Sequence, residues 1–244
     1  MSAEQIALAA ATLLAAYFIR GITGFGSGLI AVPLLALFLP LKFVVPLMLL
    51  LDFTASIVIG GLHFKKVQWN EISILFPFSL IGVTLGTHLL VRLPQAPMLI
   101  ALAVFIMIFA VRSLLNWQGD KPVSRFWAIP ASLTGGTVGG LFGTGGPPYV
   151  IYLAHRIRDK GALRASLSAT FFAEGLMRIA SFLLAGLLMT KQLWMSYLVA
   201  LPVVMGALYA GNRAHIGVDA ARMAQLIGGL LMVSGISLLV KAGS

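Results

Sequence analysis

Four charged residues lie inside apolar stretches of this chain: Arg20, Asp52, Glu174 and Arg178. Charge at membrane depth is costly, so each is a candidate for substrate or ion chemistry. Arg20 carries a planar, always-charged fork suited to an anion, its alternative being to snorkel to an interface. Asp52 has only Ser56 one turn on and no cation near it in sequence. It needs Arg20 or Arg178 as a partner, or it spends part of its time protonated, and coupling or gating is its expected role. Glu174 and Arg178 stand four apart with the acid first, the favourable helical order. They are either a neutralising pair that fixes packing or direct participants in coupling. His88 alone of the histidines falls inside an apolar segment, whereas His63, His155 and His215 fall at segment ends. With no cysteine, no His-rich cluster and no nucleophile–base spacing, an enzyme, a bound metal and a cofactor are not expected.

Two glycine-rich breaks sit close to these charges. The longer is Gly135-Gly136-Thr137-Val138-Gly139-Gly140-Leu141-Phe142-Gly143-Thr144-Gly145-Gly146-Pro147-Pro148. So much glycine and proline argues against the middle of a regular helix. The shorter is Gly24-Phe25-Gly26-Ser27-Gly28, and Phe25 to Gly28 matches Phe142 to Gly145 at a spacing of 117. Broken backbone between apolar runs is tolerated at membrane depth only where it is buried or lines a cavity. A pair of breaks in matching places of two halves points to a transporter's binding site. Half-helices starting at Ser27-Gly28 and at Thr144 to Pro148 would aim N–H groups and positive dipole ends at an anion. Ser27 and Thr144 suit the N-cap, Pro147 and Pro148 the first turn, and glycine allows close approach. The expected substrate-binding set is Arg20, Gly24, Gly26, Ser27, Gly28, Gly143, Thr144, Gly145, Gly146 and Pro147. The competing role for these glycines is helix packing.

The elements that must position this set are membrane helices. Of 244 residues, 59% are hydrophobic and 10% charged, with a mean hydropathy of +1.00, which excludes a soluble domain. The net charge of +10 comes from basic residues scattered between apolar runs, which argues against nucleic acid as a partner and for topology signals. The apolar segments fall at about 4–20, 29–39, 42–62, 72–91, 97–115, 126–138, 148–155, 163–188, 193–212 and 222–240. The six long ones suffice to cross ~30 Å of hydrocarbon, and those beside each break read as half-helices. Trp69/Trp194, Pro77/Pro202, Gly86/Gly211 and Met98/Met223 share a spacing of 125. An internal duplication follows, with repeats over 1–118 and 119–244 in one membrane domain.

Charge then orients the chain. If each broken segment crosses once, the basic residues divide seven against eight. If each is a hairpin that returns to its starting side, eleven face one side and Lys42, Arg92, Lys191 and Lys241 the other, as the positive-inside rule requires. Each repeat then crosses three times after its hairpin, the two are inverted, and both termini lie outside the cytoplasm. Two full crossings in place of each hairpin would keep the same parity. The fold expected is an all-α integral membrane protein of two inverted-topology repeats, each a Gly-rich broken helical hairpin plus three transmembrane helices.

The pattern resembles the sulfite exporter TauE/SafE family. The residues that carry the resemblance are Gly24-Phe25-Gly26-Ser27-Gly28 with Pro33, and Gly139-Gly140-Leu141-Phe142-Gly143-Thr144-Gly145-Gly146-Pro147-Pro148. It spans the whole chain, and Ser27 replaces a frequent glycine. The resemblance implies a bacterial inner-membrane transporter, often an exporter, of sulfite, organosulfonates or related small anions. Together these readings lead to a secondary active transporter that binds a small anion between the two hairpins near the midplane. Protons are candidate coupling ions, the lipid bilayer is the surrounding partner, and a homodimer is left open. The alternatives are a passive anion channel, a membrane-embedded enzyme and an assembly factor.

Overall fold

A computed structural model describes residues 3–24, 26–60, 66–114, 123–214 and 220–243. Phe25, His63, Lys65, Trp117, Lys121 and His215 lie outside the described residues. The described chain is helical: α1 (Ala3–Thr23), α2 (Ser27–Ala36), α3 (Leu41–Gly60), α4 (Trp69–Arg92), α5 (Gln95–Leu114), α6 (Ala128–Phe142), α7 (Gly146–Arg156), α8 (Lys160–Leu184), α9 (Lys191–Arg213) and α10 (Ala220–Gly243). A 3-10 turn over Arg125–Trp127 leads into α6. Among the described residues six helices are long and apolar enough to cross a membrane: α1, α3, α4, α5, α8 and α9. α6 and α7, at 15 and 11 residues, reach only about 22 and 16 Å at ~1.5 Å per residue, short of the ~30 Å hydrocarbon core.

Two expected boundaries shift. α1 runs on to Thr23, so it is a full-length helix and not a half-helix. The glycine-rich stretch is helical up to Phe142, and the break is confined to Gly143–Gly145. The reason is packing: Gly135, Gly136, Gly139 and Gly140 lie inside α6 because other backbones and side chains press on them. A Cβ on Gly136 would come within 2.5 Å of Ser79 O, and one on Gly140 equally close to Val83 O, both on α4. In lipid, such close backbone approach recovers the dispersion energy that larger side chains would supply in water.

The chain packs as two compact units. The first comprises Met1–Met48, Leu93–Gln118 and Lys191–Ser244, with α1 against α9 and α2, and α10 against α5 and α2. The second comprises Leu49–Arg92 and Gly119–Thr190, with α4 against α6 and α8, and α7 against α6 and α8. One helix crossing recurs in both. In the first unit a Cβ on Gly211 would strike Phe18 O, and one on Gly21 would lie 2.5 Å from Leu208 O and 2.7 Å from Asn212 N. In the second, a Cβ on Gly86 would strike Thr137 O, and one on Gly140 would lie 2.5 Å from Val83 O and 3.0 Å from Thr87 N. α4 and α9 thus match at the spacing of 125 read from the sequence, while α1 and α6 match at 119, the separation of Phe18 from Thr137 and of Gly21 from Gly140. The motif spacing of 117 is two residues out. Ser27 and Thr144 are therefore not equivalent: Gly146 matches Ser27, and Gly139 matches Arg20.

Candidate functional site

The first break is built by glycine geometry. α1 ends where the Gly24 N–H reaches Arg20 O at 2.7 Å, with Gly24 at φ 84°, and Gly26 follows at φ 96°. Both angles are left-handed, the region that favours glycine. α2 starts at Ser27 with Gly26 at its N-cap, so Ser27 is the first helical residue and not the cap. Its hydroxyl instead accepts a hydrogen bond from Arg20 Nη1 at 3.0 Å. Arg20 is buried, with its guanidinium 5.9 Å from the centre of the fully buried Tyr17 ring. A permanent cation is thus held one turn before the break and turned onto the first residue after it. α2 carries an N–H at each of its first three positions, Ser27, Gly28 and Leu29.

The second break repeats the backbone and changes the chemistry. Gly143, at φ 73°, sends its N–H to Gly139 O at 2.9 Å, as Gly24 does to Arg20 O. Gly145 is the N-cap of α7, and a Cβ on it would collide with Gly135 O and approach Gly139 N at 2.8 Å. Pro147 and Pro148 occupy two of the first three positions of α7, so this end presents fewer N–H donors than α2. Thr144 does not cap α7. Its hydroxyl is buried and makes no hydrogen bond. On α8, Glu174 is buried with Oε1 also lacking a hydrogen-bond partner, and that oxygen lies against Gly139, where any Cβ would strike it. Arg178, buried on the same helix, attracts Glu174 and faces the Phe182 ring at 5.6 Å, while Asp52 on α3 is close enough to repel Glu174. Ser56 donates to the Asp52 main-chain carbonyl at 2.8 Å. The second unit therefore gathers Gly139, Gly143, Thr144, Gly145, Asp52, Glu174 and Arg178 around one break. The first gathers Arg20, Gly24, Gly26, Ser27 and Gly28 around the other.

Side chains not singled out in the sequence hold the second hairpin in place. Tyr149 on α7 is fully buried; its hydroxyl donates to Ser79 Oγ on α4 at 2.8 Å, and Gly135 makes room for its ring. Glu71, in the first turn of α4, accepts from Tyr152 at 2.7 Å, from Arg156 Nη2 at 2.8 Å and from Arg125 Nε at 3.3 Å. Arg125 precedes α6 and Arg156 ends α7, so the segment between them returns to the end from which it set out. In the first unit Lys241 Nζ, near the end of α10, donates to Ala36 O and Leu37 O at 2.9 Å each. A cation there complements the negative end of α2. The one signal for the Glu71 cluster was that Glu71 is among only seven acidic residues in a strongly basic chain. Nothing in the sequence pointed to Tyr149. His88 is exposed, and Trp69, Trp127 and Trp194 are exposed at 56%, 62% and 44%, as interface anchors would be.

The family model described as "Sulfite exporter TauE/SafE" matches residues 8–238. A curated relative from Comamonas testosteroni, named probable inner membrane transporter protein TsaS, is 32% identical over 197 residues, covering 79% of this chain and 81% of its own. No solved structure matches significantly. A match across nearly the whole chain, on a helical membrane architecture with broken helices, decides the class: this chain belongs to the sulfite exporter TauE/SafE family and is a multi-pass inner-membrane transporter, not an enzyme.

Proposed function

We propose that this chain is a secondary active exporter of a small sulfur-containing anion, sulfite or an organosulfonate, bound at the broken helix ends and coupled to protons. The observation that carries the reading is Arg20, a buried cation turned onto Ser27 at the start of α2. Buried guanidinium and helix N-terminal N–H groups together suit a compact oxyanion. The family description names sulfite, which supports that substrate class. The expected binding residues are Arg20, Gly24, Gly26, Ser27, Gly28, Gly143, Thr144, Gly145, Gly146 and Pro147, with Asp52, Glu174 and Arg178 in coupling or gating. Pro147 has no N–H and would supply only apolar lining.

The proposed layout is two inverted repeats, 1–118 and 119–244, each a hairpin followed by three crossings. Two contacts support the hairpins. Arg125 and Arg156 share the Glu71 carboxylate, and Lys241 reaches the end of α2, a few residues before Lys42. Single crossings would put the members of each pair on opposite sides. The recurrent Gly21/Gly211 and Gly140/Gly86 crossings support the duplication. With hairpins, eleven basic residues face the cytoplasm and both termini face away from it.

Uptake into proteoliposomes tests the reading, with sulfite, sulfoacetate, taurine, thiosulfate and oxalate as probes, with and without an imposed pH gradient. Saturable, gradient-driven accumulation of a sulfur anion is expected. Flux that no gradient drives uphill would make the protein a channel.

A further inference from the structure

The two breaks hold opposite charges at equivalent places. In the register set by the helix crossings, Arg20 of α1 matches Gly139 of α6, and each supplies the carbonyl that ends its helix. Where Arg20 sends out a guanidinium, Gly139 sends out nothing, and the Glu174 carboxylate of α8 occupies the space. We propose that the hairpins have divided the work: the first binds the anion through Arg20, and the second carries the coupling proton on Glu174. This rests on the anion-transport reading above.

Glu174 is fitted for that task by its surroundings. It is buried, its Oε1 makes no hydrogen bond, and the Thr144 hydroxyl at the same break is buried and unpartnered too. A buried carboxylate oxygen with no hydrogen-bond partner has room to hold a proton, and an acid at membrane depth is a recurrent proton carrier. The groups that bear on it are Arg178 on its own helix, Asp52 on α3 and Tyr149 on α7. α6 contains no titratable residue. On α4, Glu71 is engaged by Arg125, Arg156 and Tyr152, while His88 and Arg92 are exposed. Two prolines thin the N–H donors at the start of α7, which leaves α2 as the stronger anion-binding end.

The test uses the full chain in proteoliposomes with radiolabelled sulfite, comparing wild type, Glu174→Gln and Glu174→Asp. Glu174→Gln is expected to keep equilibrium exchange of sulfite and to lose accumulation driven by a pH gradient, with Glu174→Asp restoring it. Accumulation by Glu174→Gln equal to wild type would overturn the proposal, and so would loss of both activities by folded Glu174→Gln, which would place Glu174 in binding. Should Glu174→Gln not fold, the change in bound protons when sulfite is added to the wild type in weakly buffered detergent decides: uptake or release supports the proposal, and no change overturns it. A wild type that exchanges none of the five anions would instead sink the anion-transport reading, and the proton assignment with it.

Discussion

Glu174 Oε1 rests on the main chain of Gly139, in the space that any side chain there would fill. The acid on α8 and the missing side chain on α6 are thus one device. Gly139→Ala is expected to displace the carboxylate, lower stability by about 1–3 kcal/mol through overpacking, and abolish gradient-driven uptake. Gly206→Ala on α9, with open space around it, is the control and should keep wild-type flux. Thermal midpoints in detergent and sulfite uptake measure both effects.

Apart from its chain neighbours, Gly26 has no described atom within 4 Å of where a Cβ would stand, so the stability cost of replacing it is conformational. At φ 96°, Gly26→Ala should cost about 1–2 kcal/mol. Gly26→Asn should cost less, because asparagine visits the left-handed region more readily. A thermal shift equal for both would show that backbone strain is not the cause.

Arg20→Ala should raise the KM for sulfite about tenfold or more, a charged hydrogen bond being worth ~1.5–3 kcal/mol. Arg20→Lys keeps the charge and loses the planar fork, so its defect should be intermediate. Asp52→Asn should also reduce flux without preventing membrane insertion. Wild-type flux in both Arg20→Ala and Asp52→Asn would remove these residues from the site.

Glu71 binds both ends of the second hairpin. Glu71→Gln leaves Arg156 without its charged partner and should lower stability by about 1.5–3 kcal/mol, read as a lower thermal midpoint. The exchanged pair Glu71→Arg with Arg156→Glu should recover part of it.

The chain has no cysteine, so single cysteines report topology on a clean background. Ser124→Cys and Arg158→Cys, both at exposed positions, should react with a membrane-impermeant maleimide only from the cytoplasmic face. Lys42→Cys and Gly243→Cys should react only from the opposite face. Labelling of Ser124→Cys and Arg158→Cys from opposite faces would exclude the hairpin.

The long helices were legible because apolar length alone marks them: α4 and α5 begin and end within three residues of the segments read from hydropathy. The breaks were legible too, since Gly24, Gly26 and Gly143 adopt angles that suit glycine. What misled was composition around the second break. Glycine inside α6 looks like helix breaking, and only the partner helix α4 shows it to be close packing. The motif match at 117 failed for a related reason. Short Phe-Gly words align by identity, whereas the register of a helix pair is set by which carbonyl meets which glycine, and that gives 119. Tyr149 and the partners of Glu71 were out of reach because the paired residues lie 54 to 85 positions apart in sequence.

Lys241 closes α2 from 205 residues downstream. At a synthesis rate of ~5–20 residues per second, the end of α2 waits about 10–40 s for that lysine after it emerges. The second unit, whose last residue is Thr190, is complete before α9 and α10 exist. Biogenesis is therefore ordered: the unit with the acidic break can assemble while the ribosome is still at work, and the unit with Arg20 is sealed only by the final turns of the chain.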